Sequence, residues 1–255
     1  MRSFSGLFKK DFLMARFWFL VWMLCMICAI IASFWFAHYT GESMALFGAL
    51  VTILLFHSLF CPLMILAQLR LEGKTQLWLY NPNNSALLLV SKLASAAVYQ
   101  LISHAVLFIF GLVVRSVLLS SSAGLFSVSD LLLVNIAVFL GSISFSTWVM
   151  FLWTVYEALR KYPAIKKIRW IIPLLIYSAY GLIEALFIES GLFQELQKLW
   201  SISLKAEFKL HYEHSGWTVT FSQVDLPGVL LVYYTVLGVC LFYLSCKLLN
   251  RRVEV

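Results

Sequence analysis

Charge is what this sequence has least of: Asp, Glu, Lys and Arg supply 12% of its 255 residues, about half the share in soluble domains. That scarcity excludes an ordinary water-soluble fold. Long polar stretches are missing too. The longest, 189–227, is shorter than most units that fold alone, so a separate soluble domain is excluded. Cysteines number five, with Cys25 and Cys28 forming a C-x-x-C inside an apolar run, where such spacing means packing. Cys61, Cys240 and Cys246 lie in or beside other apolar runs, so neither a disulfide framework nor a zinc site is indicated. Catalytic signatures are absent as well: no serine sits in a nucleophile motif beside a base, and no paired carboxylates share a helix face. Gly73-Lys74-Thr75 has the end of a phosphate loop without its start, because Gln68 stands where the first glycine belongs.

What the chain has instead is hydrocarbon. Hydrophobic residues make up 62% of it, and the mean hydropathy is +0.90. A bilayer core about 30 Å thick takes roughly 20 apolar helical residues to cross. Six runs qualify: 17–38, 44–68, 93–114, 131–153, 170–188 and 229–246. An even number returns the chain to the side on which it began.

The basic residues indicate which side that is, because Lys and Arg near helix ends are retained in the cytoplasm. Arg2, Lys9, Lys10 and Arg16 precede the first run; Arg70, Lys74 and Lys92 lie between the second and third. Arg160, Lys161, Lys166, Lys167 and Arg169 separate the fourth from the fifth, and Lys247, Arg251 and Arg252 follow the sixth. All four groups fall on one face, so both termini are expected in the cytoplasm and the chain in the cell membrane. A net charge of +7 split among membrane-edge loops is topogenic and does not make a nucleic-acid surface.

The expected fold is therefore an all-α polytopic membrane protein, a single transmembrane domain over 1–255. At its N-terminus, Phe4, Leu7, Phe8, Phe12 and Leu13 recur at helical spacing while Lys9, Lys10 and Asp11 occupy other positions. Residues 3–16 thus read as an amphipathic elbow helix lying in the interface before the first span. Pro62 should kink the second span. Small residues at Ala94-Ser95-Ala96-Ala97 and around Gly141-Ser142 allow close helix approach. In the extracellular segment 189–227, Leu192, Phe193, Leu196, Leu199 and Trp200 predict a small helix over 191–204. Two alternating runs around Ser215-Gly216 then predict a β-hairpin. His211 and His214 within it lack an obvious third ligand for a metal.

The segment 70–92 carries the most information. It sets an apolar, aromatic element, Leu77-Trp78-Leu79-Tyr80, in polar surroundings ahead of the turn signal Asn81-Pro82-Asn83. An exposed aromatic patch of this kind wants a partner. With the elbow, the six spans and a loop running Glu72-Gly73-Lys74 to Pro82 to Lys92, the whole chain resembles the membrane subunit of type-2 ATP-binding-cassette exporters. Among them it is similar to the small Gram-positive exporters of amphipathic or antimicrobial peptides, of the phenol-soluble-modulin type. The resemblance implies that the 70–92 loop holds a coupling helix seated in a separate cytoplasmic ATPase, with Glu72, Trp78, Leu79, Tyr80, Asn81 and Pro82 as contacts. It also implies a second permease copy, with ATP and Mg bound by the partner chain and none by this one.

Polar residues at membrane depth must face inward or line a wet path. His57, His104 and Glu184 are the candidates for a translocation path, with Gln100 and Asn135 as further buried polar groups. Interhelical hydrogen bonding is the alternative for each. Three other functions remain open at this point: export of lipid or another hydrophobic molecule by the same machinery, an intramembrane enzyme built on His57, His104 and Glu184, and a secondary transporter.

Overall fold

The computed structural model describes residues 2–75, 84–119, 127–162, 167–191, 193, 195, 200–213 and 216–250. The chain forms α1 (Arg2–Thr40), α2 (Met44–His57), α3 (Phe60–Thr75), α4 (Ser85–Leu119), α5 (Val128–Ala158), α6 (Ile171–Glu189), β1 (Ser201–Glu213), β2 (Gly216–Pro227) and α7 (Gly228–Leu248). Among the described residues, six helices are long and apolar enough to cross a membrane, with α2 and α3 together counting as one. The start of α1, the α3–α4 and α5–α6 junctions and the end of α7 share one end of the bundle, here termed the basic end.

No separate elbow precedes the first span. Residues 3–16 belong to α1, one unbroken helix of 39 residues, about 58 Å long at 1.5 Å per residue. The amphipathic reading placed Asp11 on its polar side, whereas Leu7, Asp11 and Ala15 form the buried stripe. The helix continues because its inward carboxylate is neutralised by neighbouring helices and does not need the headgroup layer. Phe12 is tied to the same neighbours, stacking on Tyr99 with ring centroids 4.2 Å apart.

The second span breaks at Ser58-Leu59, just ahead of Pro62. Proline has no N–H to donate to the Ser58 carbonyl, so the ladder is interrupted there and α3 restarts with Pro62 in its first turn. Ser58 Oγ bonds back to the Leu55 carbonyl at 2.7 Å, which satisfies one group freed by the break. α4 begins earlier than the hydropathy suggests, at Ser85 rather than 93, and carries Lys92 inside its second and third turns. α5 opens on a capping box: Ser127 and Asp130 satisfy each other's backbone N–H groups.

Two apolar cores divide the bundle lengthwise. Phe60, Ile65, Leu69, Leu89, Ala96, Tyr99, Met150 and Trp153 pack near the basic end. Met26, Leu50, Leu54, Leu107, Phe110, Val114 and Leu131 pack toward the other. α6 stands outside both, with none of its residues buried.

Beyond α6 the chain leaves the bundle. The expected 191–204 helix does not persist to its predicted end, since Ser201 already pairs in β1. β1 and β2 run antiparallel, from Ser201 opposite Pro227 to Glu213 opposite Gly216, with an irregularity between Leu204 and Glu207. The base of this ribbon is closed by the Gly228 N–H donating to the Trp200 carbonyl at 2.9 Å.

Candidate functional site

At the basic end, four charged side chains from three helices meet, three of them out of solvent and the fourth, Lys10, part-exposed. Lys92 of α4 lies 3.0 Å from Asp11 of α1 and 2.9 Å from Glu72 of α3. Lys10 completes the set against Glu72, and Ser91 donates to the other Asp11 oxygen. Asp11, Lys92 and Glu72 are 0%, 1% and 2% exposed. Two carboxylates against two ammonium groups leave the cluster neutral, which is the condition for tolerating charges in so dry a place. Lys10 and Lys92, which the sequence reading counts among the topogenic charges, are engaged in ion pairs here, and so is Glu72, expected as an ATPase contact. Glu72 spends its carboxylate inside the bundle.

This cluster brackets the aromatic loop. Glu72 sits one turn before the end of α3 and Lys92 two turns after the start of α4. Trp78, Leu79, Tyr80, Asn81 and Pro82 lie between them, outside the described residues.

A second polar group fills the gap between the two apolar cores. The Trp22 indole N–H donates to His57 Nδ1 at 3.1 Å, and His57 Nε2 lies 3.0 Å from Ser103 Oγ. His104 Nδ1 is 3.1 Å from Asn135 Oδ1, with Gln100 Nε2 at 3.4 Å from its Nε2. The two imidazoles meet edge to face, 4.6 Å between centroids. Partner identity sets the protons, because an indole can only donate. His57 therefore accepts at Nδ1 and carries its hydrogen on Nε2, toward a serine whose own proton goes to the Tyr99 and Gln100 carbonyls. Asn135 donates its amide to the Leu131 carbonyl at 2.9 Å, which leaves its oxygen to accept from His104 Nδ1–H. Gln100 Oε1 is buried without a partner.

Glu184 keeps different company. Its carboxylate accepts from Tyr180 at 3.0 Å and from Tyr234 of α7 at 2.6 Å, and Tyr180 reaches Tyr233 at 3.3 Å. The structure thus unites His57 with His104 but leaves Glu184 in a separate tyrosine cluster between α6 and α7. No group of three His, Cys, Asp or Glu among the described residues could hold a metal.

Asp11, Lys10 and Lys92 went unrecognised as a site in the sequence. The available signal was Asp11 at helical spacing between Leu7 and Ala15, a charge on an apolar stripe.

Comparison with known proteins places the chain. It is 30% identical over 258 residues to YhcE of Bacillus subtilis, described as an uncharacterized protein, with the whole of both chains covered. This chain belongs to the YhcE family. The match runs from the start of α1 to beyond α7, so both polar clusters lie inside the segment shared with YhcE. No family model matches, and no solved structure matches.

Proposed function

We propose that this YhcE-family chain is the membrane permease subunit of an ATP-driven exporter, working as one of two copies with a separate cytoplasmic ATPase that binds ATP and Mg. The observation that carries the reading is the Lys10–Asp11–Glu72–Lys92 cluster. It clamps both ends of the aromatic loop to each other and to α1, so force applied to Trp78, Leu79 and Tyr80 by a closing ATPase reaches three helices at once. A loop that only belted the interface would have no use for such an anchor.

In this scheme the basic end and both termini face the cytoplasm of a cell-membrane protein, and the start of α1 takes the place of the elbow. The β-hairpin lies outside, capping the mouth or meeting its copy in the second subunit. Amphipathic peptide is the proposed cargo, suited to an aromatic-rich chain with 21 Phe, 9 Trp and 11 Tyr in all. Lipid export by the same machinery is the second reading, favoured by α6, an apolar helix of which no residue is buried. An intramembrane enzyme requires His57, His104 and Glu184 to converge, and Glu184 stands with tyrosines instead.

The test is co-expression with an ATPase encoded beside the gene, followed by pull-down and transport of a labelled amphipathic helix into inverted vesicles. Replacing Trp78, Leu79 and Tyr80 together with alanine is expected to abolish ATPase capture and transport while the bundle still folds. Unchanged capture and unchanged transport would sink the proposal.

A further inference from the structure

A cleft of about 860 Å³ opens at the basic end between α3, α5 and the head of α6. Its polar wall carries Arg70 and Lys74 from α3 and Arg160 beyond α5, against Glu157 alone as an acid. Three cations and one carboxylate leave an excess of two positive charges. Glu157 is already engaged by Arg160 at 3.7 Å, and Arg70 and Lys74 form no ion pair among the described residues. Arg169 adds to the same potential from the rim, its guanidinium 4.2 Å above the Tyr156 ring that lines the cleft. The contrast with the neutral Lys10–Asp11–Glu72–Lys92 cluster is direct. There the helices balance every charge internally; here they leave cations facing an open volume.

The rest of the lining is apolar. Leu66, Trp153 and Trp170 share the wall with the cations, and the cleft adjoins α6, whose Leu174 and Leu175 are 54% and 60% exposed. A ligand that fits must join an anionic head to hydrocarbon. Basic pockets between spans on the cytoplasmic side meet that description for acidic lipids, and Trp at the rim suits the headgroup level.

We propose that this cleft is a binding site for an anionic phospholipid, with its phosphate held by Arg70, Lys74 and Arg160 and its acyl chains lying along α6. Inorganic phosphate and nucleotides share the headgroup chemistry but leave the apolar wall uncovered. An acidic protein surface would meet the cations but would leave the apolar volume beside Leu66, Trp170 and Pro173 unfilled.

Full-length protein purified in mild detergent, then placed in nanodiscs of phosphatidylglycerol or phosphatidylcholine, tests this through native mass spectrometry and thermal unfolding. Retained phosphatidylglycerol and a higher Tm in its presence are expected, with neither reproduced by phosphatidylcholine. The Arg70→Gln/Lys74→Gln variant should retain at least about tenfold less phosphatidylglycerol, since each basic residue near an anionic headgroup contributes a factor of about five. Millimolar inorganic phosphate or ATP should displace none. Equal retention of the two lipids by wild-type protein overturns the proposal, and this measurement needs no variant to fold. Displacement by phosphate or ATP overturns it in favour of a free anion. Loss of ATPase capture in the double variant with phosphatidylglycerol retention unchanged overturns it in favour of a protein partner.

Discussion

The Trp22 indole N–H bonded to His57 Nδ1 at 3.1 Å fixes the direction of a hydrogen-bond chain across the middle of the bundle. A nitrogen that accepts from an indole carries no proton, so His57 is neutral with its hydrogen on Nε2, and His104 is the opposite tautomer with its hydrogen on Nδ1. The chain holds five histidines; in nitrogen-15 spectra the signals of His57 and His104, assigned by their loss on single substitution, are expected to show one tautomer each. The same tautomer at both positions would refute the assignment. Replacing His57 with Leu strands the Trp22 donor in an apolar setting, at a cost of about 1–3 kcal/mol. His57→Gln, whose amide oxygen can accept from the indole, should recover part of that stability in a detergent unfolding series.

The ionic cluster predicts a distinctive pattern of pair effects. Lys92→Met leaves Asp11 and Glu72 sharing Lys10 alone, and breaking a buried pair in this way costs about 3–5 kcal/mol. Neutralising both partners with Asp11→Asn and Lys92→Met removes the uncompensated charge, so the double variant should unfold at higher denaturant than Lys92→Met by itself. Additive losses in the cycle would show that the two residues are not coupled.

Much of this was readable in advance, and what was not has a physical cause. Hydropathy located the spans because a bilayer imposes length and apolarity on each helix separately. It misjudged their ends wherever a polar side chain is neutralised by another helix. Ser85 reads as a cap for the helix of the third span, and α4 does begin there; what the apolar count cannot show is that Lys92 within it is buried, because Asp11 and Glu72, 81 and 20 positions away, meet it there. No local pattern encodes that meeting. The same limit explains the elbow, for Asp11 on a helix surface normally seeks water. His57 and His104 were legible as buried polar groups; that they touch, and that Glu184 does not join them, depends on how α2, α4, α6 and α7 pack.

Glu184→Gln keeps the size of the side chain and an oxygen that accepts from Tyr180 and Tyr234, so assembly should survive it. If the carboxylate's charge serves the translocation path, export falls severalfold while the purified complex elutes and unfolds as before. Wild-type export by this variant would make the cluster a packing device between α6 and α7. Tyr234→Phe separates the two roles from the other side: it removes the 2.6 Å bond, about 1.5–3 kcal/mol for a donor to a charged group, without altering the charge.

The junction of hairpin and last span depends on Gly228. A Cβ there would lie 2.3 Å from the Trp200 ring, nearer than any packed side chain tolerates, and the offending atoms belong to a rigid indole. Gly228→Ala must therefore push Trp200 aside and strain the 2.9 Å bond from the Gly228 N–H to the Trp200 carbonyl, the link that closes the ribbon's base. Overpacking of this kind costs about 1–3 kcal/mol. Because the strain sits at the ribbon and not in the bundle, the expected signature is faster proteolysis within 201–227 with little change in the unfolding of the spans. Trp200→Ala introduced beside Gly228→Ala removes the collision and should restore resistance to the protease. If the double variant is cut as quickly as Gly228→Ala, the glycine acts through backbone freedom at the start of α7 and not through the space it leaves for Trp200.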